Sequence, residues 1–189
     1  MAALRHRRSE LRPSVSVKVF YGWRMAGAAG VLQFIQSALL MQSFGAYVAV
    51  LSEERGWSKT ALSGAAALQS VESAILGPAL GWLLDRFGPR AMVQIGMVVF
   101  GSGFLLLSQI ETLGGFYTSA VMMAVGVSLG GYFPLTVTLI QWFERYRARA
   151  LSIMSLGLAL GGIVVPVVAW TMHTYGWRAT AFGSGIIVM

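Results

Sequence analysis

Long apolar stretches alternate with short polar segments along the whole chain. Residues 25–52, 91–110, 112–143 and 150–177 contain no Asp, Glu, Lys or Arg, and residues 60–84 contain only Glu72. About 20 apolar residues are enough to cross a bilayer core of roughly 30 Å as an α-helix. The pattern predicts an all-α membrane protein with five complete helices and the start of a sixth, near residues 22–51, 59–84, 91–109, 114–140, 150–172 and 178–189.

Composition agrees with a membrane protein. The chain is 56% hydrophobic and only 11% charged, whereas soluble domains carry about 25% charged residues. The absence of cysteine excludes disulfides and thiolate metal sites. We expect membrane lipids to surround the helices, and we expect neither a metal nor another cofactor.

The basic residues predict how the helices are oriented. If the N-terminus is cytoplasmic, eleven Lys and Arg residues lie in cytoplasmic segments and three on the opposite side. Such an excess is typical of cytoplasmic loops. Residues 1–20 are therefore interpreted as a basic cytoplasmic tail that sets topology. Binding of a specific lipid or of nucleic acid is the less favoured alternative, and the net charge of +7 is not taken to indicate a nucleic-acid partner.

A tight turn with one acid and two arginines separates the second and third predicted helices. Lipid does not compensate such charges, so they must lie in the headgroup layer or against protein. Gly88 tolerates a positive φ and Pro89 cannot continue a helix, so together they favour the turn. The segment 81–90 resembles the G-x-L-x-D-R-x-G-R/K-R/K signature of the major facilitator superfamily, and the matching residues are Gly81, Leu83, Asp85, Arg86, Gly88 and Arg90.

Other segments are similar to the monocarboxylate-transporter and oxalate/formate-antiporter branch of that superfamily. Tyr-Gly-Trp-Arg opens the first helix at 21–24 and the sixth at 175–178, and a Trp-Phe-Glu-Arg segment begins at Trp142. The resemblance implies the N-terminal six-helix half of a twelve-helix fold, built from two inverted three-helix repeats, with the sixth helix truncated at Met189. A missing C-terminal half would then be the partner of residues 21–189, and a chain that ends at Met189 is not expected to transport.

Two departures from related transporters bear on the substrate. Residues 112–143 lack the arginine that drug/proton antiporters of the superfamily carry in the fourth helix. Residues 25–52 lack the lysine that animal-type monocarboxylate transporters carry in the first helix. We expect a small solute as substrate, and only the branch resemblance favours an organic anion such as a monocarboxylate.

The resemblance also implies roles for charged and small residues. Gly81, Asp85, Arg86, Gly88 and Arg90 are expected to form a conformational-switch loop, with partners Arg145 and Arg149 in the loop after the fourth helix. The alternative is that Asp85 only caps and orients the turn. In the fifth helix, the four residues expected to allow packing or flexing are Gly157, Gly161, Gly162 and Pro166. Close helix packing alone is the simpler interpretation of Gly157 and Gly161.

Polar side chains within the predicted helices suggest a substrate pathway. At 100° per residue, four of them share one sector of the first helix, namely Gln33, Gln36, Ser43 and Tyr47. Tyr132 lies on a similar polar stripe of the fourth helix. These groups either line a central pathway or simply hydrogen-bond neighbouring helices.

Glu72 is the only acidic or basic side chain in the interior of a predicted helix, twelve residues from either end of 60–84. An acid facing lipid would cost about 2.5–3.5 kcal/mol, so we expect Glu72 to face protein or water. Neighbouring hydroxyls or an arginine could hold it in a structural role. Alternatively, Glu72 takes up a proton and couples proton entry to substrate movement.

Other protein classes fit the sequence less well. An intramembrane protease needs a Ser/His pair, and His173 with Ser102 or Ser184 is conceivable, but His173 lies near a helix end. A channel or a non-transporting scaffold stays open as an alternative. We expect secondary active transport by alternating access in the plasma membrane, without enzymatic activity.

Overall fold

The computed structural model describes residues 21–189, and the predicted basic tail lies outside them. Within residues 21–189 nearly all of the chain is helical and no strand occurs. Four helical segments are long and apolar enough to cross a membrane, namely Tyr21–Arg55, Lys59–Ser108, Leu113–Trp142 and Arg147–Tyr175. A shorter helix, Trp177–Val188, follows. The expected all-α membrane fold is confirmed.

The segment Lys59–Ser108 is a helical hairpin rather than one rod. Gly88 has φ 76° and ψ 160°, a non-helical conformation inside the segment. Ser128 contacts Glu72, while Gly126 packs on the backbone of Phe100. Residues 72 and 100 would be about 42 Å apart on one straight helix, so the chain must fold back at Gly88.

The fold is therefore described by six helical units. They are α1 (Tyr21–Arg55), α2 (59–87), α3 (89–108), α4 (Leu113–Trp142), α5 (Arg147–Tyr175) and α6 (Trp177–Val188). The reversal between α2 and α3 takes a single residue. Asp85 and Arg86, expected in a loop, consequently lie on the last turn of α2.

Three of these units are irregular in their interior. In α1, the helix Tyr21–Gln36 passes into a π-helical turn at Ser37–Met41 before Phe44–Arg55. In α4, Leu113–Gly130 and Tyr132–Trp142 are separated at Gly131. In α5, Arg147–Leu160 and Val165–Tyr175 are joined by a 3₁₀ turn at Gly161–Val164.

Local sequence explains most helix ends. Gly56 (φ 66°) ends α1 and Gly176 (φ 82°) separates α5 from α6, because glycine adopts positive φ without steric penalty. The side chains of Ser58 and Thr112 accept hydrogen bonds from the backbone N–H of Ala61 and Gly115, which caps α2 and α4.

Glycine allows the helices to approach each other closely at three crossings. Gly157 of α5 lies against the backbone of Gly30 in α1. Gly126 of α4 lies against the backbone of Phe100 in α3, and Gly185 of α6 faces the Gly101 carbonyl. Membrane helices pack through such small residues because lipid supplies no hydrophobic drive for association.

The apolar core centres on α3, between α1, α4 and α6. Its largest fully buried side chains include Phe100, Phe104 and Phe116. In contrast, α2 and α5 leave many apolar side chains exposed, such as Val71, Ile75 and Ile163. These two helices thus offer apolar surface to whatever surrounds the bundle.

Candidate functional site

The expected switch residues gather at one end of the bundle. A cavity of about 480 Å³ there is lined by Tyr21 at the start of α1, Pro89 and Arg90 at the start of α3, and Trp142 at the end of α4. The hairpin between α2 and α3, the start of α1 and the loop between α4 and α5 therefore share one end. We call it the hairpin end.

At the hairpin end, the expected ion pairs to Asp85 are not formed. Asp85 is exposed and makes no hydrogen bond or ion pair within residues 21–189. The Arg86 guanidinium lies 5.7 Å from the Trp82 ring centre, and that of Arg149 lies 5.3 Å from the Tyr146 ring. Arg145 is exposed. The Asp85 carboxylate is thus available to another partner in this conformation.

The pathway residues expected on α1 are all buried inside the bundle. The exposed fractions of Gln33, Gln36, Ser43 and Tyr47 are 2%, 3%, 0% and 4%. The Gln36 amide donates to Met97 Sδ and to the Gly130 carbonyl, both at 3.4 Å, and Ser43 donates to the carbonyl of Ala38.

Tyr132 of α4, the remaining pathway candidate, is exposed. It directly follows the break at Gly131. The structure therefore does not bring Tyr132 and the buried polar residues of α1 onto one open surface.

A π-helical turn interrupts α1 between Gln36 and Ser43. A π-helix bonds i to i+5, so it shifts the register of every residue that follows it. An uninterrupted helix would place Gln42 about 100° from the sector of Gln36 and Ser43, and sequence analysis did not select it. In the structure Gln42 is exposed and lies beside Gly162 of α5, where an added Cβ would be 3.7 Å from the Gln42 Nε2.

The region of the irregular turn in α1 contacts the irregular regions of both α4 and α5. The Ser37 hydroxyl donates to the Leu158 carbonyl at 2.7 Å, and Gly161 packs against Ser37. Gln36, one residue earlier, contacts Gly130 beside the break of α4. Pro166 follows near the start of the next helical stretch of α5. Gly157 and Gly161 are therefore close-packing positions, and Gly161 also begins the change of helix type.

The side chain of Glu72, on α2, contacts α4. Its Oε2 accepts hydrogen bonds from Ser73 at 3.3 Å and from Ser128 of α4 at 3.4 Å. Its Oε1 and the Gln69 Nε2 are buried and have no hydrogen-bond partner within residues 21–189. No arginine or lysine of the described residues contacts Glu72.

A polar cluster at the other end was not expected from the sequence. The Trp177 indole N–H donates to Glu54 Oε2 at 2.6 Å. Arg55 and Arg178 both donate to the carbonyl of Ile110, at 3.3 and 3.2 Å. The cluster joins the ends of α1, α3 and α6, and the repeated Tyr-Gly-Trp-Arg sequence was the only signal that could have indicated it.

The sequence of this bundle can be compared with those of known proteins. The profile of the Major Facilitator Superfamily matches residues 28–189. The chain belongs to the major facilitator superfamily. The resemblance inferred from residues 81–90 is confirmed, and the match is consistent with an N-terminal six-helix half of the major facilitator fold.

Among curated relatives, the chain is 33% identical to the fujikurins efflux protein of Gibberella fujikuroi over 113 residues, which is 57% of this chain and 24% of that protein. It is 29% identical to human monocarboxylate transporter 11 over 178 residues, 89% of this chain and 36% of that protein. It is 34% identical to a putative multidrug resistance protein, MdtD, of Yersinia enterocolitica over 109 residues, 51% of this chain and 22% of that protein.

The alignments cover only part of each relative. The alignments cover between 22% and 36% of the length of these three relatives. The relatives include both efflux proteins and monocarboxylate transporters, so these similarities do not select one substrate.

Proposed function

We propose that the protein carrying this chain is a secondary active transporter that moves a small organic solute across a membrane by alternating access. The proposal rests on the hairpin at Gly88. The charged signature residues of the family lie at this hairpin, at one end of the bundle, and the backbone conformation at Gly88 requires glycine. A second bundle would complete the pathway and meet the exposed apolar faces of α2 and α5. The protein acts by moving its substrate and not as an enzyme.

In this proposal the hairpin end is the conformational switch. Among residues 21–189, none pairs with the Asp85 carboxylate there. Gly81 and Arg86 precede the reversal at Gly88, Arg90 follows it, and Arg145 and Arg149 lie beyond the end of α4. In one state Asp85 is bonded to a partner across the bundle interface, and in the other it is released, as the exposed position of its side chain allows. Charge-assisted contacts of this kind are strong enough to hold one state and still be broken.

We further propose an organic anion as substrate, with a monocarboxylate as the first candidate. The support is similarity along 89% of the chain to monocarboxylate transporter 11. Every Lys and Arg of the helices described in residues 21–189 lies within four residues of a helix end, so a cation that neutralises the anion near the middle of the membrane would come from outside residues 21–189. Of the pathway candidates, Tyr132 is open to solvent, and Gln33, Gln36, Ser43 and Tyr47 would reach substrate only after a rearrangement.

A second candidate is export of a larger organic product. The specific observation in its favour is 33% identity to an efflux protein over 113 residues. Both candidates use the same switch and differ in substrate and direction.

The location and coupling are also proposals. The positive-inside bias supports a cytoplasmic hairpin end and N-terminus, in the plasma membrane. Glu72 is the candidate for coupling transport to a proton.

Counterflow tests the proposal. The intact protein is reconstituted in vesicles preloaded with unlabelled lactate, and uptake of a trace of labelled lactate is followed. We expect a transient overshoot, because exchange through one site stimulates entry, whereas a channel gives none. Empty vesicles are the control, and absence of overshoot with lactate and with a panel of other organic anions and neutral metabolites would contradict the proposal.

A further inference from the structure

We infer that Glu72 of α2 and Ser128 of α4 form a proton-binding site whose charge state sets the strength of the contact between these two helices. The inference deepens the proposed transport function, on which its role in coupling rests. Whether the site binds a proton can nevertheless be tested without any substrate.

The geometry leaves one side of the Glu72 carboxyl unused. Oε2 already accepts from Ser128 and Ser73, whereas Oε1 is buried without a partner. One turn earlier on α2, the buried Gln69 Nε2 also lacks a partner. The Gln69 amide N–H is a donor, so its deficit is separate from that of Oε1. A carboxylate oxygen buried without any donor is itself costly while it is charged, so a small occupant that removes the charge relieves that cost.

The helices around the site contain no other charge that could compensate Glu72. Between Lys59 and Asp85, α2 carries no further acid or base. Residues 91–110 of α3 and 112–143 of α4 carry none. The tyrosines of α4 are elsewhere: Tyr117 donates to the Ala61 carbonyl and Tyr132 is exposed. In the last stretch of α1, Glu53, Glu54 and Arg55 lie at its far end, where Glu54 and Arg55 join the Trp177 and Ile110 cluster.

A proton is the occupant that this chemistry fits. It comes from water, bonds to Oε1 and converts the carboxylate to a neutral carboxylic acid, and it leaves from the same oxygen to water. Only one O–H bond forms and breaks. The gain is the loss of the charge, because a neutral carboxyl oxygen without a donor is less costly to bury than an ionised one.

Protonation changes the contact between α2 and α4. In the charged state the Ser128 hydroxyl donates to a carboxylate, which is a charge-assisted and therefore stronger hydrogen bond. In the neutral state the same bond is weaker. Ser128 is thus a positioning residue that connects proton binding at α2 to the packing of α4, the helix that also carries the break at Gly131.

Infrared spectroscopy of the intact protein in lipid vesicles tests the site directly. Spectra recorded across a pH series isolate the C=O stretch of a protonated carboxylic acid, and subtraction of the Glu72→Gln spectra isolates Glu72. We expect a titrating band in the wild type that Glu72→Gln lacks. The Ser128→Ala variant should move its midpoint by about half a pH unit toward the neutral acid, because one hydrogen bond to the charged form is lost.

Ser70→Ala is the matched control, because the Ser70 hydroxyl donates to the Ala66 carbonyl on the same helix and not to Glu72. It should leave the midpoint unchanged. A wild-type spectrum without a titrating band at Glu72 would overturn the inference. So would a midpoint that responds equally to Ser128→Ala and Ser70→Ala, and Ser128→Ala keeps the test valid if Glu72→Gln does not fold.

The counterflow experiment distinguishes a failure of this inference from a failure of the proposed function. If counterflow of organic solutes fails while the infrared band titrates and responds to Ser128→Ala, the proton site stands and the transport proposal fails. If counterflow succeeds and the band is absent, transport stands and the proton site is wrong.

Discussion

Gly157 of α5 packs directly on the backbone carbonyl of Gly30 in α1, so that a methyl group at Gly157 would overlap it. Backbone cannot move aside as a flexible side chain can. The contact therefore fixes the distance between α1 and α5, next to the place where Ser37 reaches the Leu158 carbonyl.

We predict that Gly157→Ala destabilises the bundle, because the added methyl group must push the two helices apart. The expected loss is about 1–3 kcal/mol, as for other overpacked sites. Gly27→Ala is the matched control, since no atom lies within 4 Å of a Cβ placed there, and alanine favours the helix. Thermal unfolding of the purified intact protein in detergent measures both, and equal melting temperatures would contradict the packing argument.

Gly88→Ala is expected to impair the hairpin between α2 and α3. At φ 76° and ψ 160° a residue with a Cβ is strained by about 1–3 kcal/mol. Gly81→Ala is the control, because Gly81 is helical and has open space around it. The yield of folded protein in the membrane and its melting temperature should fall for Gly88→Ala only. Normal values for both variants would show that the reversal does not need glycine.

Two glutamines of α1 should behave differently. Gln36 is buried and bonds Met97 and Gly130, so Gln36→Ala should lower stability by about 1 kcal/mol. Gln42 is exposed, so Gln42→Ala should leave stability unchanged and raise the KM of uptake if it faces the pathway. Uptake kinetics beside thermal unfolding distinguish the two. If Gln36→Ala instead changed only the KM of uptake and left stability unchanged, Gln36 would be the residue that contacts substrate.

Sequence periodicity predicted the helices and the shared face of four polar residues on α1, but not the irregular turns inside the helices. The lengths of the apolar runs predict the lengths of the helices, and Gly, Pro and Ser predict where helices end. Both are local features of the sequence, so the reversal at Gly88 could be predicted. The 100° wheel placed Gln33, Gln36, Ser43 and Tyr47 on one face, and all four are buried. It could not predict the π turn at Ser37–Met41 or the break at Gly131, because both depend on contacts with other helices. The cluster of Glu54 and Trp177 brings together residues far apart in the sequence, which periodicity cannot detect.

The hydrogen bond from Trp177 to Glu54 predicts a measurable effect at the end opposite the hairpin. Trp177→Phe keeps the ring and removes the N–H donor, which should lower stability by about 0.5–1.5 kcal/mol. Trp170→Phe is the control, because Trp170 is exposed and its indole N–H has no partner within residues 21–189. Chemical denaturation of the two variants in detergent gives the comparison, and indistinguishable midpoints would mean that the bond adds no stability.

The central claim is that the hairpin end switches access to the two sides of the membrane through Asp85. Residues 1–189 contain no cysteine, so a single cysteine at Gln42, with any other cysteine of the protein replaced, reports access to a membrane-impermeant maleimide from either side. Glu144→Gln is the control for Asp85→Asn, because Glu144 is another exposed acid in the loop after α4.

We predict that Asp85→Asn increases maleimide labelling from the hairpin side and decreases it from the opposite side, relative to wild type and to Glu144→Gln. The reason is that loss of the carboxylate releases the state in which the hairpin end is closed. Labelling from both sides that is the same in Asp85→Asn, Glu144→Gln and wild type would contradict alternating access controlled by this hairpin.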